Sequence, residues 1–162
     1  MLSAPEFLHR HQAAHHGHRK VNFFMIKMTE EMHELIDNAL ANKMPCILAT
    51  ASKSGQPNTS FRGSMMVFDD ASLAYWDRGK RQSMQDMIEN PKVCVMFRHP
   101  DKRIVWRFFG DATIHHDGAV REQVLARVVP PELERDPDRK GVAVVIRVNK
   151  ILSATGEVLQ ER

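Results

Sequence analysis

Four cations, Arg62, Arg78, Lys80 and Arg81, stand in one short stretch with the hydroxyls of Ser64 and Ser83. Charged N–H donors and hydroxyls in such density suit an anion with several oxygens, each donor satisfying one lone pair. The segment "DRGKRQS" adds the geometry. Gly79 permits close approach of the backbone, Lys80 and Arg81 bring charge, and Ser83 stands at a predicted helix start. There, unpaired N–H groups and the helix dipole favour negative charge. Arg62 and Ser64, two apart on a predicted strand, project to one face. Arg62 lies between Phe61 and the apolar run Met65-Met66-Val67, so its charge must reach water or a partner. An oxygen-rich dianion matches these donors better than a carboxylate. The same loop also reads as a solvated basic surface, with Ser83 a plain helix cap and Asp86 three residues on.

The elements that must position these groups follow from hydrophobic period and turn chemistry. Thr29 suits a helix cap, Glu30 and Glu31 suit a first turn, and Met32, Leu35, Ile36, Ala39 and Leu40 recur at helical spacing before Pro45. "CILATA" and "TSFRGSMMVF" read as paired strands around the Gly55 and Pro57 loop, and "LAYW" as a third strand after "DDAS". "SMQDMIEN" is a helix stopped by Asn90-Pro91. "VCVMF" and "IVWRFFGDATIH" make an antiparallel pair about the Pro100-Asp101 turn. Asp117 is placed to cap a third helix bearing Val120, Val124, Leu125 and Val128, ended by Pro130 and Pro131. The loop "ERDPDRKG" reads as exposed, and "VAVVIRV" as a well-covered strand. Six strands that do not alternate with helices predict a mainly β fold with short helices, a small antiparallel barrel.

Bulk properties narrow the function classes. The chain of 162 residues fits one domain, predicted over 28–162. A net charge of +3, with cations interleaved among 20 acids, is too weak a signal for nucleic acid. No apolar run has the roughly 20 residues of a membrane helix, and the start lacks a leader pattern. Cys46 and Cys94 sit in apolar strands, which predicts reduced thiols and a cytoplasmic protein. Residues 1–27 lack period and hold His9, His11, His15, His16 and His18, which predicts a disordered arm. A weak divalent-metal site is the other reading of those histidines. Met25 and Met28 are alternative translation starts.

"GQPNTSFRGS", "LAYWDRGKRQSMQDMIENPKVCVMF", "WRFFGDATI" and the closing "VIRVNKILSATGEVLQER" resemble, in order and spacing, the pyridoxamine-phosphate-oxidase-like FMN-binding split barrels over about residues 29–162. The resemblance implies a six-stranded split β-barrel that forms a homodimer, with FMN in clefts between protomers. It implies a cofactor-binding set of Arg62, Gly63, Ser64, Lys80, Arg81, Gln82 and Ser83 toward the phosphate. Tyr75 and Trp76 would flank the ring or ribityl chain, and Trp106 with Arg107 would contact the cofactor of the other protomer. Many relatives carry Ser-x-Lys where this chain has "KRQS". The substrate-binding Trp and Arg of true pyridoxamine-phosphate oxidases have no counterpart after Val148, so vitamin B6 oxidation is not expected.

The expectation is thus a flavoprotein oxidoreductase acting on a small molecule, the flavin supplying the redox chemistry. Similarity to the family also leaves deazaflavin or haem as ligands, and a sensor that binds flavin without turnover. A nucleic-acid binder using Arg62, Lys80 and Arg81 ranks last, because the aromatics follow apolar strand patterns. No side chain reads as a catalytic acid or base. His99, His115 and His116 read as surface residues.

Overall fold

The computed structural model describes residues 25–162. The predicted arm and its histidines otherwise lie outside the described residues, but the packed chain already includes Ile26, which is buried, and Lys27, whose amide and carbonyl both bond the Gln160 side chain. The elements run α1 (Glu30–Asp37), β1 (Cys46–Ala51), β2 (Pro57–Arg62), β3 (Met66–Asp69), β4 (Ser72–Asp77), α2 (Gln82–Glu89) and β5 (Lys92–His99). There follow β6 (Ile104–His115), α3 (Gly118–Leu125), α4 (Pro130–Leu133), β7 (Val142–Leu152) and β8 (Val158–Glu161).

All strand pairs are antiparallel, in the order β2-β1-β5-β6-β7-β4-β3, with β8 added to β7. A flat sheet of seven strands would hold its outer pair about 29 Å apart, six spacings of ~4.8 Å. Those outer strands, β2 and β3, are joined by three residues, Gly63, Ser64 and Met65. A chain from Arg62 to Met66 reaches at most about 14 Å. The sheet therefore curls until its edges meet, and the split falls at Gly63–Met65. The predicted six strands become eight for two reasons. The long second strand breaks at this split, and Val158–Glu161 pairs with β7 at the C-terminal end.

Alternation along the strands fills the barrel. Leu48, Tyr75, Val95, Phe97, Phe108, Ile146 and Ile151 are fully buried in one cluster, into which α1 sends Met32, Leu35 and Ile36. Thr29 caps α1 as predicted, its Oγ1 accepting from the Met32 amide at 3.2 Å. β6 is bulged between Phe109 and Gly110, and a Cβ on Gly110 would lie 2.3 Å from the Arg147 carbonyl oxygen, so only glycine fits there.

Every residue of β4 is buried, because its outer face is covered too. A second cluster of Met66, Ala74, Trp76, Val124, Val128 and Ala143 packs α3 and the α4 region onto that face. Two local expectations change here. Asp117 stands at the α3 N-cap without a side-chain bond, and Pro130-Pro131 open α4 instead of only closing α3. Proline suits the first helical turn, where its missing N–H has no partner to lose.

Candidate functional site

The split in the barrel opens into a cleft of about 430 Å³. Four parts of the chain meet there: β2 with the split, the end of β4, the start of α2, and Glu132 from α4. Burial alternates along β2, so Asn58, Ser60 and Arg62 share the inward face and reach the cleft while Thr59 and Phe61 are exposed.

Asp77 builds the loop after β4. Its Oδ1 accepts the amides of Gly79 at 3.1 Å and Lys80 at 3.0 Å, and Lys80 adopts a left-handed φ of 44°. That turn aims the chain into α2, whose N-cap is Arg81 in extended conformation, with no side chain capping the helix. The first amides of α2 thus face the cleft beside Arg81, Gln82 and Ser83. Ser83 Oγ accepts a hydrogen bond from the Arg62 guanidinium. A second Arg62 nitrogen donates to the Phe61 carbonyl at 3.1 Å, and the guanidinium carbon lies 4.9 Å from the Tyr75 ring centroid. Arg62 Nε is buried without a partner. A cation stacked on an aromatic floor, with one donor still free, is prepared for an anion.

Behind α2, Asp86 is 2 % exposed. It accepts from Thr50 Oγ1 at 2.6 Å and from Gln82 Nε2 at 2.8 Å, while Asn58 Nδ2 reaches the same Thr50 hydroxyl at 3.4 Å. The network ties α2 to β1 and β2 and leaves the Gln82 amide oxygen for the cleft. The sequence reading offered Asp86 only as the partner of a Ser83 helix cap, but the cap position is Arg81 and Asp86 is instead buried on the helix face with Met84 and Met87.

Of the eleven residues expected at the cofactor, Arg62, Gly63, Ser64, Trp76, Arg81, Gln82 and Ser83 line this cleft. Ser64 does so in a different role from a free phosphate donor. Its Oγ donates to the Trp76 carbonyl at 3.2 Å and accepts the Trp76 amide at 3.0 Å, pinning the split to β4. Lys80 turns away, its Nζ donating to the Lys140 carbonyl at 2.8 Å.

Tyr75 and Trp76, neighbours on β4, face opposite sides of the strand. Tyr75 is fully buried in the barrel, its hydroxyl 3.8 Å from Met87 Sδ. Burial pushes its pKa well above the ordinary range, Asp77 adds to the rise, and the Arg62 charge opposes it. Trp76 faces outward, under α3. Its Nε1 donates to Asp136 Oδ2 at 2.8 Å, and Arg121 lies 4.8 Å over its ring. Trp106 packs in the core, stacked on Phe97 with centroids 5.7 Å apart, while Arg107 faces the other side and donates to the Ser153 carbonyl.

Asn58, Ser60, Asp77 and Glu132 also line the cleft, and the sequence reading did not include them. The strand period that selected Arg62 selects Asn58 and Ser60 equally, and Asp77 precedes the glycine turn in the pattern of an Asx turn. Nothing local marks Glu132, which lies far along the chain.

A sequence model of the family described as pyridoxamine 5'-phosphate oxidase matches residues 28–152. MJ0282 of Methanocaldococcus jannaschii, an uncharacterized protein, is 29% identical over 129 residues, which cover 78% of this chain and 80% of that one. The crystal structure of HupZ from group A Streptococcus superposes with a TM-score of 0.62 at 26% identity, over 81% of this chain and 97% of that one. An FMN-binding protein from Syntrophomonas wolfei shares the fold, with a TM-score of 0.61 at 18% identity over 76% of this chain and 86% of that one. The match runs from the residue before the Thr29 cap to the last residue of β7 and contains the split and every residue that lines the cleft, so the chain belongs to the pyridoxamine 5'-phosphate oxidase family.

Proposed function

We propose that this protein is an FMN-binding flavoprotein, an oxidoreductase acting on a small molecule. The observation that carries the reading is Arg62: stacked on Tyr75, bonded to Ser83 at the uncapped start of α2, and left with a buried Nε that has no partner. A phosphate monoester supplies the acceptors that this group lacks. Arg81 and the first amides of α2 add charge and donors at the same place. The cleft volume lies within the ordinary range for small-molecule sites, about 300–1,000 Å³.

The residues divide the work. Arg62, Arg81 and Ser83 would hold the phosphate. The Gln82 oxygen, oriented by Asp86, is an acceptor for a ligand N–H or O–H. Trp76 lines the cleft, and Asp136 and Arg121 hold its ring in place. When bound, FMN supplies the electron-transfer chemistry, and the chain supplies anchoring, orientation and access.

The proposed assembly is a homodimer. Phe61 is 70 % exposed on the outer face of β2, in register with Ile47 of β1, which is paired in turn with Met96 of β5. These residues border an apolar groove of about 250 Å³ with Met44 and Pro45. Phe61 lies on the rims of both groove and cleft, so a partner seated on this face would stand beside the cofactor.

The visible spectrum of purified protein, with mass spectrometry of the released ligand, tests the reading. A two-banded flavin spectrum and FMN in the extract are expected. Colourless protein that also fails to bind added FMN would overturn it. Replacing Arg62 and Arg81 together by Ala is expected to weaken FMN by about 100-fold or more, at ~1.5–3 kcal/mol per charged hydrogen bond, and riboflavin far less. Equal loss for both would assign the arginines to the fold or the ring.

A further inference from the structure

Among the described residues, four buried side-chain polar atoms have no hydrogen-bond partner: Ser60 Oγ, Arg62 Nε, Asp77 Oδ2 and Arg107 Nε. Three of the four belong to residues that line the cleft. Unpartnered buried polar atoms are rare in folded proteins, and their concentration here points to a ligand that completes them.

Their chemistry is mixed. Arg62 Nε can only donate, which suits phosphate. Asp77 is 6 % exposed, and Oδ2 of its carboxylate can only accept. Ser60 does either. Glu132 adds a second carboxylate to the lining, and its side chain is only 12 % exposed. Its Oε1 lies 2.7 Å from where a Cβ on Gly63 would stand, so the absence of a side chain there is what admits it. Its ion pairs with Arg78 and Arg135 are both long, at 3.5 Å. Two carboxylates beside a phosphate site repel a bare dianion, and they favour a ligand that brings its own donors next to its phosphate.

We infer that Ser60, Asp77 and Glu132 form a hydroxyl-reading wall beside the cations, making the cleft selective for a polyol phosphate over free phosphate. This rests on the phosphate reading of Arg62. In FMN the group read would be the ribityl chain. The carboxylates would accept hydrogen bonds from its hydroxyls, and the charge that binds those hydroxyls would also reject inorganic phosphate.

Calorimetric titration and flavin fluorescence decide it with five probes: FMN, riboflavin, lumiflavin, ribitol 5-phosphate and inorganic phosphate. Wild-type protein is expected to bind ribitol 5-phosphate at least tenfold more tightly than inorganic phosphate. Glu132→Gln is expected to weaken FMN and riboflavin alike, by about tenfold, leave lumiflavin unchanged, and bind inorganic phosphate as tightly as wild type or more so. Ser60→Ala, a smaller change on β2, is expected to shift the same two flavins by a few fold. Tighter FMN binding by Glu132→Gln would show that the carboxylate only repels, and an equal loss of lumiflavin would show that it supports the ring or the fold. Either result overturns the inference. The two readings fail separately: absence of flavin binding with ribitol 5-phosphate still preferred over inorganic phosphate removes FMN and keeps the polyol wall. Flavin binding without that preference, and with no change in Glu132→Gln, does the reverse.

Discussion

Arg62 shows how one side chain is made ready for a ligand. Its planar head rests on Tyr75, one nitrogen is held by Ser83 and another by the Phe61 carbonyl, so little freedom remains to be lost on binding. Tyr75 thereby acquires a role different from the one its position in "LAYW" suggests, since it supports the cation from inside the barrel. The hydroxyl matters little for that role, because its partner is a thioether at 3.8 Å. Tyr75→Phe is therefore expected to change stability by less than about 1 kcal/mol and FMN affinity by less than twofold, read by urea unfolding and flavin titration. Tyr75→Leu removes the ring beneath Arg62 and is expected to weaken FMN by about three- to tenfold while riboflavin changes little. Loss of both ligands to the same degree would place Tyr75 in the core alone.

At the scale of elements, the cover over β4 is fastened at Trp76 and Asp136. Asp136 Oδ2 accepts from Trp76 Nε1 and from the Gly141 amide, each at 2.8 Å, and Oδ1 takes the Lys140 amide at 3.0 Å. Gly141 is required by space: a Cβ there would lie 2.4 Å from Trp76 Nε1, inside a packed ring. Gly141→Ala is expected to lower unfolding stability by about 1–3 kcal/mol and to raise the exposure of Trp76, measured by its fluorescence. Acid should loosen the same clamp. Burial pushes the Asp136 carboxyl up, but the bonds from Trp76, Gly141 and Lys140 and the charge of Lys80 outweigh it and hold the group below its usual value. Below about pH 4, the usual aspartate value, the unfolded chain takes up a proton before the native one does. The clamp's contribution is complete above that pH and is lost as pH falls through the native value. Asp111 titrates in the same direction, held down by hydrogen bonds from Lys92 and Asn149. The difference between wild type and Asp136→Asn isolates the clamp: the variant should be less stable at pH 7, with a shallower loss of stability below pH 4.

For the whole molecule, the cleft and the apolar outer face of β2, β1 and β5 belong together in the proposed homodimer. Phe61→Asp puts a charge where groove and cleft meet. Sedimentation equilibrium is expected to show a monomer for this variant and a dimer for wild type, with weaker flavin retention in the monomer. A wild-type monomer at micromolar concentration that still holds FMN would remove the dimer from the account.

Much of this was legible along the chain. The order of helices and strands, the Thr29 cap, the basic loop around Gly79 and the cluster of Arg62, Arg81 and Ser83 follow from local period and loop chemistry, which act over a few residues. Tertiary structure alone decided where the second strand breaks, because the break exists to bring two sheet edges together. It decided that Tyr75 faces the barrel and Trp76 the cover, since a fully buried strand has no polar face to betray its direction. Glu132 meets Arg78 across 54 positions of sequence, and Asp136 meets Trp76 across 60. Contacts at such separation leave no periodic trace, because the residues that form them become neighbours only when the barrel closes and its cover folds back onto β4.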